Sequence, residues 1–534
     1  MKSYSFVRGA AVALSMLATT VPGALAQSTG AIQGTVYDPA GGAIANAKVV
    51  VTNTGTGETR NTVSDAAGSY AVPSLIPGSY KVEVSAPGFQ TTSTTNLNLS
   101  VGVTATQDFH LSVGATSQTI EVAAAPPLVD TTTTGISGVV GQREVQQLPL
   151  NGRHFVDLGL IIPGSVTPPQ SGFLTFPLRG QGSLSFNTAG SREDTVNFMI
   201  NGVNLNDMVQ NQITFQPTIN TVSEFKVDNS TFEPQYGRNS GAIVNIATRA
   251  GTNELHGELY EYFRNNDLDA RNYFNRVGTP MSPFKRNQFG ADVGGPIWKN
   301  KTFFFLTYEG LRQRQGLTLD TGVPSEAQRA QAQAVGNPTV LKLLPFIPAP
   351  NFGTATFLGS ATAPVNIDQG TANISHQFSE KDQLNFYYAG QFDHRQEPTL
   401  QGNTIPNFGD TRDGWRELGT LNETHVFGPT LTNEARFGIN HIHITFAPNQ
   451  ILNPADYYIN NGVDTAIGLP QMTVSSIGLN FGGPSGFPQG RGDSTGVLSD
   501  TVSWVHGKHT FEFGGEFRRF INDNFGNDPG TFTF

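Results

Sequence analysis

The chain has 534 residues, a formal net charge of −10 and no cysteine. Disulfide staples and thiolate metal sites are therefore excluded, and an acidic balance without a basic run argues against a nucleic-acid partner, because phosphate binding needs a local Lys/Arg excess. Only 14% of residues are charged while Gly numbers 60, Pro 32 and Phe 37, which suits many short strands and turns better than helices.

The first residues read as a secretory signal, residues 1–26. Lys2 and Arg8 supply the positive region, and residues 9–21 form an apolar core too short to span a bilayer as a helix. Ala24-Leu25-Ala26 is an A-x-A cleavage site. No later segment approaches the ~18 consecutive apolar residues of a membrane helix. An exported chain of this kind is either soluble or a β-barrel.

Residues 30–113 alternate short apolar-patterned runs with turn residues. About seven strands are expected, over 31–37, 47–54, 58–64, 69–72, 79–85, 91–99 and 104–111, closing a small antiparallel sandwich. Asp38-Pro39, Gly55-Thr56-Gly57, Pro77-Gly78 and Pro87-Gly88 supply the φ values that the reversals need. The residues Gly34, Val36, Asp38, Ala47, Val49, Asp65, Gly68, Tyr70, Leu75, Gly78, Tyr80, Gly88 and Phe89 follow a pattern that resembles the carboxypeptidase regulatory-like domain. The resemblance implies a prealbumin-like β-sandwich with an accessory role. Some sandwiches of similar fold bind carbohydrate, but no aromatic platform is recognisable here.

Residues 114–134 form a Thr/Ala/Pro-rich linker. It contains Gln118, Thr119, Ile120, Glu121, Val122, Ala123 and Ala124, a β-prone run that resembles the TonB box of TonB-dependent outer-membrane receptors. In that family the segment pairs as a strand with the energy-transducing partner TonB, by β-augmentation. A plain strand or linker is the alternative.

Residues 135–250 are mixed. Residues 143–149 read as a short helix stopped by Pro149, followed by a second through Leu160. The run LPLNGRHFVDLGLIIPG resembles the plug opening of the Oar-like branch of these receptors. Arg179-Gly180 resembles a plug strand motif, and Asn201-Gly202 resembles the plug's "DG" hairpin with Asn in place of Asp. Asn-Gly suits a two-residue hairpin because both residues can take φ > 0. Tyr236-Gly237 and Gly241 mark a Gly-rich turn between strands at 222–227 and 242–248 that closes the plug.

From residue 251 to 534 about nine amphipathic strands are expected. Phe289, Ala291 and Val293 alternate with Gln288, Gly290 and Asp292. Leu384, Phe386 and Phe392 alternate with Asn385, Tyr387 and Asp393. Segments of this kind mark a transmembrane antiparallel β-barrel, with lipid outside and water inside. Brief connections at 299–300 and 379–382 suit periplasmic turns, and long ones at 317–370 and 447–494 suit extracellular loops. A soluble multi-sandwich adhesin is the competing fold. Plugged transporters of this kind use roughly 22 strands. The reading is therefore the N-terminal part of a roughly doubled receptor; a smaller unplugged barrel is its rival.

Chemistry is sparse. His509 and Glu512 face opposite sides of a strand and cannot share a metal. His441 and His443 share a face with Ala435, Phe437 and Ile439, which favours an interfacial position over a metal site. Arg491-Gly492-Asp493 falls in a Gly/Pro-rich stretch read as loop. No catalytic residue, cofactor site or metal site is assigned, and the expectation is that the protein is no enzyme. The resemblance implies import of an extracellular ligand, a glycan or polypeptide by analogy, with TonB and its inner-membrane energising complex and outer-membrane lipid as partners. The sandwich would lie in the periplasm. The alternative is a surface carbohydrate-binding or adhesin protein without transport.

Overall fold

The computed structural model describes residues 29–114, 119–123, 136–167, 185–188, 190–192, 195–209, 211–229, 232, 235–237, 239–270, 281, 283–399, 402–507 and 509–534. The signal sequence and Arg179-Gly180 lie outside these residues, as do Gln118 and Ala124.

The N-terminal unit holds Gly30–Tyr37 (β1), Lys48–Asn53 (β2), Thr59–Val63 (β3), Ser69–Leu75 (β4), Gly78–Ser85 (β5), Thr91–Leu99 (β6), Thr104–Thr106 (β7), Phe109–His110 (β8) and Thr119–Ala123 (β9). One sheet runs β4-β1-β7, with β8 also on β1, and the other β3-β2-β5-β6-β9. Alternate residues point inward, so Ile32, Val36, Val49, Val51, Val82 and Val84 form a closed core. Tyr70 and Tyr80 each donate a hydroxyl at 2.6 Å to a carbonyl, of Gln107 and Ile76 respectively.

The purely antiparallel expectation needs correction. The single strand expected at 104–111 is two strands, both parallel to β1. The break falls at Asp108, whose carboxylate takes the backbone N–H of Thr35 at 2.7 Å and replaces a ladder bond. The linker likewise contributes β9, parallel to β6 with Thr91 opposite Thr119 and Thr95 opposite Ala123.

The second unit is a five-stranded sheet in the order β10-β13-β14-β11-β12, from Ile136–Val140 (β10), Asn197–Ile200 (β11), Val203–Asn204 (β12), Val222–Asn229 (β13) and Ile243–Thr248 (β14). Helix α1 (Gln142–Gln147) stops short of Pro149, as expected. The second short helix, Phe155–Ile161, is 3₁₀. Phe155 meets Phe198 and Phe225 edge-on in the core.

The third unit is one antiparallel nine-stranded sheet, β15-β16-β17-β18-β19-β20-β21-β24-β25. Its strands are His256–Asn265 (β15), Phe284–Trp298 (β16), Thr302–Gly322 (β17), Thr356–Gln377 (β18), Asp382–Gln396 (β19), Asp410–Gly428 (β20) and Leu431–Pro448 (β21). Gln471–Val474 (β22) and Leu479–Phe481 (β23) intervene before Gln489–His506 (β24) and His509–Gly526 (β25). The expected alternation holds: Gln288, Asp292, Tyr387 and Asp393 are buried on the inner face, while Val293, Phe386, Phe392, Trp415 and Leu498 are exposed on the outer. Such an apolar outer face would be a liability in water and is the solvated face in lipid. Aromatics gather on it beside the short turns, at Trp298, Phe378, Phe427 and Trp504, as at a membrane interface. No described helix is long and apolar enough to cross a membrane.

The long connections are shorter than expected. β17 continues to Gly322 and β18 begins at Thr356, paired in register throughout. β17 has 21 residues, against about 9–11 needed to cross a bilayer. The hairpin therefore stands clear of the lipid and carries a folded cap. That cap comprises α2 (Glu326–Val335), α3 (Pro338–Leu343) and a small sheet β23-β22-β26 with Thr531–Thr533 (β26). Val323, Leu343, Phe408, Leu469 and Phe481 are its core. Arg491-Gly492-Asp493 is likewise no loop motif. It lies within β24, where the side chains of Arg491 and Asp493 turn inward and are buried.

Candidate functional site

The nine-stranded sheet curves around the second unit. The two share one apolar cluster, in which Tyr387, Ala389 and Leu418 of the barrel wall join Phe155, Phe198 and Phe225. Around that cluster the seat is polar. Asn201 and Gly202 form the β11–β12 turn with φ 47° and 79°, the two left-handed residues that Asn-Gly was expected to supply. The Asn201 side chain ties the turn to Thr248, donating to its Oγ1 at 2.9 Å and accepting its N–H at 3.3 Å. The Asn201 carbonyl accepts from Asn422 of β20 at 3.1 Å. Gly202 lies flat against Arg436 of β21, and a Cβ there would be 2.3 Å from the guanidinium carbon. Four residues after Arg436 on the same face of β21, Asn440 donates to the carbonyls of Asn204 and Asn206 at 3.1 and 3.2 Å and accepts from Thr214 at 3.2 Å.

The other motif residues of this unit separate. Tyr236 is buried and accepts a hydrogen bond from Asn245 at 3.2 Å. Gly241 packs against Thr195, leaving no room for a side chain, whereas Gly237 faces open space. Thr119, Ile120, Glu121, Val122 and Ala123 are the strand β9 on the edge of the sandwich, away from the seat.

A charged network joins the plug to the wall. Asp207 of the plug pairs with Arg491 at 3.2 Å, and Arg491 also holds Asp493 at 3.1 Å. Beside it Asp393 pairs with Arg395 at 3.1 Å and with Arg416, and Asp410 with Arg412 at 2.7 Å. On the far side of the plug, Asn220 donates to Asp292 at 2.5 Å. The Arg153 guanidinium stacks 4.6 Å from the rings of both Tyr260 and Tyr262. Breaking one partner of a buried pair leaves the other charge stranded, at a cost of about 3–5 kcal/mol. The contacts thus hold the plug in one register while remaining hydratable if it moves. Burial, reinforced by the charge of Arg286, drops the His154 imidazole to about 3, so it stays neutral.

Sequence reasoning missed this network, although a signal for it exists. Asp393-x-Arg395, Asp410-x-Arg412, Glu434-x-Arg436, Arg491-x-Asp493 and Glu516-x-Arg518 place opposite charges two apart on one strand face. It also missed a group of Asp382, Glu423 and His425 whose ligand atoms lie within 4.8 Å of one another. They sit near the short-turn rim, where the His425 ring is bonded to Asp382 at 2.5 Å. His441 faces outward as expected, bonded to Ser494 at 2.8 Å.

A lipid-facing antiparallel sheet wrapped around a polar-seated globular domain defines a plugged β-barrel of the bacterial outer membrane. The model of the outer membrane beta barrel domain family matches residues 247–534, and that of the carboxypeptidase regulatory-like domain matches 31–112. The chain belongs to the outer membrane beta barrel domain family and carries an N-terminal carboxypeptidase regulatory-like domain. The TonB-dependent transporter Oar of Myxococcus xanthus is 28% identical over 301 residues, covering 53% of this chain and 27% of that protein. Among solved structures, the outer membrane transporter YddB from Escherichia coli is 11% identical, with 73% of this chain and 48% of that one covered and a TM-score of 0.49. The ferric enterobactin receptor PfeA from Pseudomonas aeruginosa is 13% identical, with coverage of 73% and 50% and a TM-score of 0.44. The chain thus spans about a quarter of the length of its curated relative and about half that of these solved receptors.

Proposed function

We propose that the protein is a TonB-dependent receptor that binds an extracellular ligand and imports it by movement of the plug. The observation that carries this reading is the seat itself. Apart from Tyr387, Ala389 and Leu418 of the wall, which join the plug's apolar core, the plug is held by side-chain amides, backbone carbonyls and ion pairs, and these can be shifted and rehydrated. The ligand meets the cap and the outward end of the plug. TonB takes the segment 118–124 by strand pairing, which needs only backbone groups and a register. Energy comes from the inner membrane, so the receptor needs no nucleotide site. A glycan or polypeptide ligand fits by analogy with large receptors that carry an accessory sandwich. Homology to a TonB-dependent transporter supports the same reading.

Deleting 118–124 separates import from adhesion. Import requires that uptake be lost while ligand still binds the cell surface. A surface adhesin would keep its whole function after the deletion.

A further inference from the structure

The sandwich does not hang free on the short-turn side. It reaches across the mouth of the barrel and touches the plug and the ends of several wall strands. The backbone N–H of Asn253 donates to the Gly55 carbonyl at 2.9 Å, and its side chain to that of Thr56 at 2.8 Å. Gln383 donates to Glu58 at 3.0 Å, Arg60 to the carbonyl of Glu380 at 3.3 Å, and Thr62 to that of Pro429 at 3.3 Å. Toward the plug, Glu224 takes the N–H of Val101 at 2.6 Å, and Lys226 donates to the Gly102 carbonyl at 2.9 Å.

Between the three units lies a cavity of about 310 Å³. Its walls are amide-rich, with Asn201 from the plug and Asn373, Asn385 and Asn422 from the barrel, and the sandwich residues Glu58 and Pro77 close one side. Anything leaving the plug on this side would enter that space.

We propose that the docked sandwich is a reversible gate over the periplasmic exit, latched to the segment on which TonB pulls; the latch rests on the import reading above. The character of the interface favours reversal. The sandwich core is self-contained, and among the described residues no apolar cluster joins it to plug or wall, whereas plug and wall share one. Each docking contact named above is polar, so undocking exchanges it for water. The Glu58–Arg60 pair is buried where the sandwich meets Gln383, and burial raises the Glu58 carboxyl above its ordinary range despite Arg60. That desolvation is relieved when the face opens. The latch is geometric. β9 is the edge strand of the sandwich, paired in parallel to β6 through Thr91 to Thr95. A pull on β9 loads the sandwich before it loads the plug.

The cysteine-free chain allows a direct test in the intact receptor in energised cells. Ser375→Cys, on the cavity wall, reports access through its alkylation by N-ethylmaleimide, read by mass spectrometry of its peptide. Asn61 and Glu380 are exposed and 3.4 Å apart across the interface. Joining Asn61→Cys to Glu380→Cys with a short cleavable thiol cross-linker should slow alkylation about tenfold or more, and cleavage should restore it, if opening controls access. Equal rates with the bridge open and closed overturn the gate. Dissipating the proton gradient separates the two readings. A fall to the bridged rate supports both gate and latch. A bridge effect that persists with no effect of the gradient supports the gate, and refutes the latch and the TonB reading on which it rests.

Discussion

Of the four plug glycines that stood out in the sequence, Gly202, Gly237 and Gly241 lie within the described residues, and the structure ranks them sharply. At Gly202 an alanine meets two costs. The left-handed φ of 79° penalises any L-residue by about 1–2 kcal/mol. Its Cβ would also lie 2.3 Å from the Arg436 guanidinium, which must retreat from Glu434 and from the Asn422 amide that it reaches at 3.3 Å. Hydrogen bonds to a charged group are worth about 1.5–3 kcal/mol. Together Gly202→Ala should loosen the seat by about 2.5–5 kcal/mol, roughly two to four powers of ten in the population of the displaced plug. Gly241→Ala places a Cβ 2.6 Å from the Thr195 hydroxyl and 2.8 Å from its carbonyl, so backbone must move. Gly237→Ala meets nothing within 4 Å and should be silent. Hydrogen–deuterium exchange of peptides spanning 197–205 and 222–229 in the purified receptor reads the opening equilibrium. Protection unchanged in Gly202→Ala, or lost as much in Gly237→Ala, would refute the reasoning.

Other outcomes follow from the same contacts. Asp207→Ala should destabilise the plug by about 1.5–3 kcal/mol, because Arg491 keeps Asp493 but loses its partner on the plug, and adding Arg491→Met should cost more by stranding Asp493, as a double-mutant cycle on thermal unfolding would show. His154 has a folded pKa near 3, below the unfolded value of about 6.5, so the unfolded plug binds the extra proton. Stability is therefore unaffected above about pH 6.5 and falls as pH drops from there toward 3, by about 2 kcal/mol at pH 5. His154→Gln should flatten that part of the pH profile in denaturant titrations. The sandwich, expressed alone as residues 29–123, should fold cooperatively, because its core is its own. Tyr80→Phe should then cost it about 1 kcal/mol in urea by removing the 2.6 Å bond to the Ile76 carbonyl.

Much of this architecture was legible because its signals are local. Asn201-Gly202 announces a two-residue hairpin whatever surrounds it, and Pro149 ends α1 at a readable place. Strands such as β16 and β19 show which residues face lipid through a period of two, since one face must be apolar. What was not legible depends on partners remote in the chain. Nothing in Thr119 to Ala123 tells whether those backbone groups pair with another protein or with β6, because parallel pairing has no turn to mark it. The split at Asp108 needed knowledge of the Thr35 N–H that it caps. The Arg491-Gly492-Asp493 stretch looked like loop because glycine and proline crowd the residues before it, yet its two charges are two apart and turn inward together. The charge pairs on one strand face were visible in the sequence, and only the folded chain shows that one of them, Arg491-x-Asp493, meets Asp207 of the plug. The docking of the sandwich rests on isolated polar residues such as Asn253 and Gln383, which carry no pattern at all.

The most direct test of the proposed mechanism is where the segment 118–124 goes when the cell is energised. A photo-crosslinking amino acid at Ile120, in the intact receptor in living cells, should join to TonB when ligand is supplied and to the β6 edge of the sandwich when the proton gradient is collapsed. Cross-links to the sandwich alone, in cells that continue to take up the ligand, would contradict import through this segment.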